Sequence, residues 1–165
     1  MLIAKDPGGT SNGVRNLLGR LRRRRQRPGD AHTGVRPADC IFCRQDDPEI
    51  NTVMCENESF YARYDNFPAN PGHVEIVPKR HVESFFDLDE REVVSAYALL
   101  REAKLRLDDK YFPEAYTIGV NEGKAAGRSI DHLHIHLIPR HHGDVDDPRG
   151  GIRRAAPNCD PDAWR

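Results

Sequence analysis

From residue 132 to residue 139 the chain reads His-Leu-His-Ile-His-Leu-Ile-Pro, three histidines in strict alternation with aliphatic residues. A period of two belongs to a β-strand, in which successive side chains point to opposite faces. His132, His134 and His136 then share one face and Leu133, Ile135 and Leu137 the other, so one face is suited to a core and the other to a site. A lone strand histidine is ordinarily a hydrogen-bonded, half-exposed residue; three in alternation behind a polar, glycine-containing turn call for another account. Adjacent imidazoles on such a strand stand ~6.6–6.8 Å apart. The outer two, His132 and His136, lie ~13 Å apart and cannot both approach one metal ion to the required ~2.0–2.1 Å. In the preceding turn, Gly123 to Ser129, backbone N–H groups and the Ser129 hydroxyl can converge on phosphate oxygens. A neutral histidine beside a held phosphorus can attack it and form a phosphohistidine, while a neighbouring imidazole or hydroxyl protonates the leaving group.

The rest of the chain predicts a scaffold for that strand. Phe60 to Asp65 and His73 to Pro78 read as short strands joined by the loop Asn66 to Gly72, and Ala115 to Val120 as another strand. A helix is predicted over Glu90 to Lys110, where Val93, Val94, Ala96, Leu99, Leu100, Ala103 and Leu107 recur at spacings of three and four. Asp87 followed by Glu90 resembles a capping box at its start. Strands around a single good helix, without βαβ alternation, indicate an α+β fold with an antiparallel sheet. The stretch from Arg44 to Phe60 reads as polar and turn-rich. At 165 residues one domain is expected. With 38% hydrophobic residues and no apolar run near ~20 residues, a membrane-embedded protein is excluded. The first ten residues lack the apolar core of a secretory signal, so a cytoplasmic protein is expected.

Charge and cysteines add two further signals. The formal net charge is −1, but nine basic and two acidic side chains fall in residues 1–36, which makes that segment +7 and the remainder −8. The run Leu21 to Asp30 repels itself and reads as a solvated arm, either a polyanion-binding patch or a tail that aids solubility; it has no interleaved aromatics for base stacking. Cys40 and Cys43 form a C-x-x-C pair, which in a reducing compartment suggests metal or redox chemistry. Its polar, turn-rich sequel is unlike the βαβ context of a redox motif, and a zinc site would need histidines from elsewhere.

Three segments together carry a family resemblance: YDNFPANPGHVEIVPKRH (64–81), GVNEGKAAGRSIDHLHIHLIPR (119–140) and GDVDDPRGG (143–151). From Cys40 to Arg153 the chain resembles the histidine triad (HIT) superfamily of nucleotide hydrolases and transferases, in its bacterial zinc-containing branch. The resemblance implies an antiparallel sheet of about five strands with one long helix and a short one, continued into a ten-stranded sheet across a homodimer. It divides the chain into a basic extension (1–36), a HIT domain (37–153) and a C-terminal tail (154–165). It implies that His134 attacks the α-phosphorus of a nucleotide substrate, that His136 contacts the phosphate or the bridging atom, and that Ser129 bonds to the leaving group. Asn121 and the backbone at Gly127 would hold phosphate oxygens, Asp65 the ribose hydroxyls, and Ile41 and Phe42 the nucleoside wall, although Asp65 would equally cap a turn and Phe42 would equally be core. Cys40, Cys43, His81 and His132 would hold a structural zinc, leaving Cys55 and Cys159 as thiols without a matching role and Asp87, Asp89, His141 and His142 as surface groups.

Some positions depart from the pattern. Arg128 stands where a neutral glutamine is common, and either grips a phosphate or carboxylate of the leaving group or points to solvent. Arg63 and Asn66 replace more apolar residues of adenosine-binding members. A histidine at position 136 favours the hydrolase branches, and the tail with Trp164 could reach a neighbouring subunit. The activity expected is nucleoside phosphoramidate hydrolysis, with dinucleoside polyphosphate hydrolysis as the alternative. From another class, the chain would be a zinc-stabilised nucleotide- or RNA-binding adaptor that uses its basic arm.

Overall fold

The computed structural model describes residues 37–160, so the basic arm and Trp164 lie outside the described residues. Five strands, β1 (Val53–Glu56), β2 (Phe60–Tyr64), β3 (Val74–Pro78), β4 (Ala115–Gly119) and β5 (Ile135–Arg140), form one sheet in the order β1-β2-β3-β5-β4. Every neighbouring pair is antiparallel. One α-helix, α1 (Glu90–Tyr111), crosses between β3 and β4. The other helical pieces among the described residues are short 3-10 turns, one of them Ile41–Cys43.

Period-two alternation divides this sheet into two chemistries. Phe60, Ala62, Val74, Ile76, Ile135 and Leu137 form one core with Ala96, Leu99, Ala103 and Leu107 of α1. Leu99 and Leu107 are fully buried there, each worth ~1.5–3 kcal/mol of hydrophobic stabilisation. Val93 and Val94, read as part of that stripe, are instead exposed. The alternate residues, Tyr61, Arg63, Glu75, Val77 and His136, point to the other face, where Phe42 packs on Tyr61 and Val77.

Three local expectations are corrected. The segment read as turn-rich contains β1: only four residues long, it pairs with β2 through Cys55↔Ala62 and Glu56↔Tyr61, and the Asn57 carboxamide oxygen closes the intervening turn by accepting from the backbone of Ser59 and Phe60. The histidine strand begins at Ile135, not His132. Its ladder to β3 stops at Ile76↔Ile135, and Leu133 N–H is bonded to Val82 O at 2.6 Å instead. The capping box is Asp89 with Glu92, each accepting the other's backbone N–H at 2.9 Å. Two overlapping Asp-x-x-Glu frames exist in the sequence, and Arg80 selects the second by binding Glu92 Oε2 at 2.8 Å and the Asp87 carbonyl at 2.9 Å. Asp87 closes a 3-10 turn, Phe85–Asp87, one step earlier.

The loop before β3 is held against the end of α1. Gly72 has φ +83°, and a Cβ there would lie 2.8 Å from the Tyr111 ring. Both conditions require glycine, and they fix where the chain enters β3 at His73.

Candidate active site

Loss of strand geometry at residues 132–134 separates the three histidines. His132 turns towards the C-x-x-C turn, where its Nδ1 lies 3.3 Å from Cys40 Sγ and 3.6 Å from Cys43 Sγ; His81 Nδ1 lies 3.4 Å from Cys43 Sγ. A tetrahedral zinc with bonds of ~2.3 Å to sulfur and ~2.0–2.1 Å to nitrogen requires S···N separations of about 3.6 Å. The four donors all lie within 4.8 Å of one another, and neither Cys40 nor Cys43 is in a disulfide. His132 Nε2 donates to the Pro78 carbonyl at 2.9 Å, which leaves Nδ1 as the metal-facing nitrogen. Burial lowers His132 to about 4, so its ring is neutral and able to ligate. These residues fit a closed Cys2His2 metal centre.

The other two histidines remain together, with ring centroids 4.9 Å apart. His134 Nδ1 is 2.8 Å from the His132 carbonyl, which can only accept, so Nδ1 carries the proton and Nε2 the free lone pair. His136 is oriented by His73, a residue outside the alternating run. His73 Nε2 lies 3.0 Å from His136 Nδ1, while Ala69 N–H donates to His73 Nδ1 at 3.2 Å. His73 therefore donates from Nε2, His136 accepts at Nδ1, and His136 presents an Nε2–H donor. A lone pair on one imidazole thus stands beside a proton on the next. Burial, first among the causes, lowers His73, His134 and His136, the last to about 4, so all three rings are neutral near neutral pH.

Asp65 performs the capping role: Oδ1 accepts from Phe67 N–H at 2.7 Å, and Oδ2 lies 3.5 Å from His73 Nδ1. Phe42 is buried, its ring centroid 5.2 Å from that of His134, with the Arg63 guanidinium 5.4 Å from the ring centroid. Ile41 and Ser129 line a cleft of about 410 Å³ with Cys40, His81, Glu83 and Ile130. The Gly123–Gly127 turn brings the Asn121 carboxamide within 4.0 Å of the Gly127 Cβ position. Its N–H groups at Ala126, Gly127 and Arg128 are spent on Gly123 and Lys124 carbonyls, so in this structure they do not aim at a phosphate. The Asn121 carboxamide, the exposed Ser129 hydroxyl and the His136 N–H are polar groups of the kind that task needs. Arg128 does not point to solvent: it is bonded to the Glu83 carbonyl and carboxylate and paired with Asp131 at 3.1 Å. His142 and Glu114 form an exposed pair.

Arg63 and Glu75 form a second buried pair on this face. They lie opposite each other on β2 and β3, and Glu75 lies opposite His136 on β5, which makes one row across the site face. Both are almost fully buried, and Arg63 Nη1 bonds Glu75 Oε2 while Nη2 donates to Ile50 O and Asn66 Oδ1. Burial pushes Glu75 up to about 7, with the Asp65 charge adding to the rise and Arg63 opposing it. The signal in the sequence was the alternation His73, Glu75, Val77 in HVEIV, legible only once the partner strands are known.

Residues 48–143 match the HIT domain family, and the chain belongs to that family. It is 36% identical over 106 residues to an uncharacterized HIT-like protein of Methanocaldococcus jannaschii, covering 64% of this chain and 81% of that protein. It is 33% identical over 99 residues to an AP-4-A phosphorylase of Mycobacterium tuberculosis, covering 59% of this chain and 51% of that protein. Among solved structures, a Zn-bound histidine triad family protein from Mycobacterium smegmatis superposes with a TM-score of 0.58 at 25% identity, covering 71% of this chain and 90% of that one. No helix among the described residues is long and apolar enough to cross a membrane.

Proposed function

We propose that the protein is a nucleotide hydrolase acting at the α-phosphate through a covalent nucleotidyl-His134 intermediate. The observation that carries this reading is the tautomer of His134: its Nδ1–H is held by the His132 carbonyl at 2.8 Å, so the Nε2 lone pair faces away from the backbone as a nucleophile. Nε2 forms a bond to phosphorus as the bond from phosphorus to the leaving group breaks. The leaving group takes a proton from Ser129 or from His136 Nε2–H. Water then attacks the same phosphorus and gives a proton back to the group that protonated the leaving group, the P–N bond breaks, and His134 is regenerated with release of the nucleoside monophosphate. Asn121 would hold a phosphate oxygen, Asp65 the ribose hydroxyls with its remaining lone pairs, and Ile41 and Phe42 the base.

The preferred substrates are nucleoside phosphoramidates, whose amine must leave protonated and so uses the N–H donor of His136. Dinucleoside polyphosphates are the second reading, supported by the similarity to an AP-4-A phosphorylase. Zinc in the Cys40, Cys43, His81 and His132 cluster would be structural: its four protein ligands leave no open position, and it would tie the Ile41–Cys43 turn to the segment that carries His134. A homodimer whose sheet continues to ten strands is part of the same proposal, as is a location in the cytoplasm.

Mixing the protein with candidate nucleotides and measuring intact mass tests the reading. A nucleotidyl increment that maps to His134 and disappears in His134→Ala is expected. No adduct under single-turnover conditions, together with salt-sensitive polyanion binding that is lost on deletion of residues 1–36, would favour an adaptor protein instead.

A further inference from the structure

The buried Arg63–Glu75 pair has no part in the two displacement steps, and its place on the site face needs a reason. Buried ion pairs are weak sources of stability, because the cost of taking two charges out of water offsets their attraction. One group of this pair is also left over: Arg63 Nε is buried without a hydrogen-bond partner among the described residues. An apolar residue would carry neither cost. The remaining groups are held in place. Arg63 Nη2 donates to the Ile50 carbonyl and to Asn66 Oδ1, and Asn66 Nδ2 donates to the same carbonyl at 3.1 Å. Glu75 keeps lone pairs beyond the one that Arg63 Nη1 occupies on Oε2. A fixed donor and a fixed charged acceptor therefore stand side by side.

Their position relative to the other groups of the site follows from strand register. Pairing of β2 with β3 runs through Arg63↔Glu75 and continues past Tyr64, where Asp65 N–H donates to the His73 carbonyl at 3.0 Å. Arg63 and Asp65 thus share the site face, ~6.6–6.8 Å apart along the chain. With the α-phosphorus at His134 and the ribose on Asp65, the base reaches the next residues of that face. Phe42, the proposed base wall, has the Arg63 guanidinium 5.4 Å from its ring centroid. Arg63 and Glu75 are 2% and 4% exposed and His134 is 5% exposed, so the pair is enclosed to the same degree as the nucleophile.

We propose that Arg63 and Glu75 read the base of the nucleotide and select guanine over adenine, a specificity that rests on the nucleotide reading above. Guanine presents the O6 acceptor beside two parallel donors, N1–H and the 2-amino group. A carboxylate accepts two parallel N–H bonds as it does from a guanidinium fork, and an arginine N–H donates to O6. Adenine offers an amino group, a ring-nitrogen lone pair and a C–H along the same edge, so the carboxylate would face a lone pair. A site with fixed buried polar groups rejects the base that leaves them unpaired.

The test uses full-length protein at pH 8, above the value of about 7 to which burial pushes Glu75, so that its carboxylate is ionised. Guanosine, inosine and adenosine 5'-phosphoramidates are compared by kcat/KM. The guanosine compound is expected to be favoured roughly tenfold or more over the adenosine compound, as for a bidentate base contact. Inosine keeps O6 and N1–H but lacks the 2-amino group, and is expected to fall between them. Glu75→Gln puts a donor where an acceptor stood and is expected to lower the guanosine-to-adenosine ratio roughly tenfold or more. Arg63→Met/Glu75→Leu, which leaves no unpaired buried charge, is expected to bring the ratio close to one. A wild-type ratio near one or in favour of adenosine overturns the proposal. So does an inosine compound as poor as the adenosine one, or a guanosine preference that survives in both variants while their melting curves show them folded. If no compound is turned over or leaves an adduct on His134, calorimetry with GMP and AMP separates the two readings. Tighter binding of GMP that is lost in both variants keeps the base contact and removes the hydrolase; equal affinities, or no binding, remove the base contact as well.

Discussion

Replacing Arg63 by methionine isolates what the buried pair on the site face does. The side chains of Arg63 and Glu75 are 3% and 5% exposed, and Arg63 also satisfies the Ile50 carbonyl at 3.0 Å and Asn66 Oδ1 at 2.8 Å. Removing one partner of such a pair costs about 3–5 kcal/mol when the other stays charged, whereas replacing both by apolar residues is often neutral or stabilising by about 1–4 kcal/mol. Glu75 has an escape route, because burial has already pushed it up to about 7 against the pull of Arg63. Without Arg63 its folded-state value rises further above the ordinary carboxylate range. A carboxyl raised in this way contributes stability that is full below its unfolded pKa and lost as pH rises through its folded one. The single variant is therefore expected to be close to wild type at pH 5 and to lose most at pH 8 and above. At about 2–4 °C per kcal/mol for a chain of this size, the alkaline loss corresponds to a melting temperature lower by roughly 6–20 °C. Arg63→Met/Glu75→Leu should melt near or above the wild type at both pH values. Thermal and urea denaturation of the three proteins decide the matter. A deficit in Arg63→Met that is equally large at pH 5 and pH 8, or a double variant as unstable as the single one, would refute the reasoning.

Two further expectations concern the metal cluster and the histidines. Cys40→Ser should lower bound zinc from about one equivalent per chain to a trace and lower the melting temperature together with it, as metal affinity here is folding free energy; zinc content unchanged on elemental analysis would remove the assignment. His136 is held down to about 4 by burial and by its neighbours His134 and His73. Its unfolded form takes a proton near 6.5 that the native form refuses, so stability falls as pH drops from there towards 4, by up to ~1.4 kcal/mol per pH unit. His136→Gln should flatten that part of the urea-denaturation pH profile, and an identical slope in the variant would show that the ring is not buried neutral.

Elements with a strong internal period were legible in the chain. Alternation in HVEIV and in HIHLI separates a helix-facing core from a polar face whatever the partners are, because a strand has only two faces. The three-and-four spacing of Ala96, Leu99, Ala103 and Leu107 likewise marks the buried side of α1 before any neighbour is known. Four-residue β1 has no such signature; it is a strand because β2 offers an open edge and Asn57 closes the turn. The capping frame was ambiguous by two residues until Arg80, ten and twelve residues away in sequence from Glu90 and Glu92, bonded to the second glutamate.

For the site, the chain by itself determined the inventory: a phosphate-type turn, a C-x-x-C pair, and histidines whose alternation puts them on one side. Only the tertiary structure decided how those residues are divided. His132 leaves the row because pairing with β3 ends at Ile135, which frees it to face Cys40 and Cys43 while its other nitrogen bonds Pro78. His73 and Glu75 enter the site because strand register places them beside His136, a relation between positions more than sixty residues apart. Residue identities set which protons and lone pairs exist; which of them point outward at His134 and His136 is set by carbonyls and rings contributed from elsewhere in the fold, because a neutral imidazole takes the tautomer that its neighbours leave open.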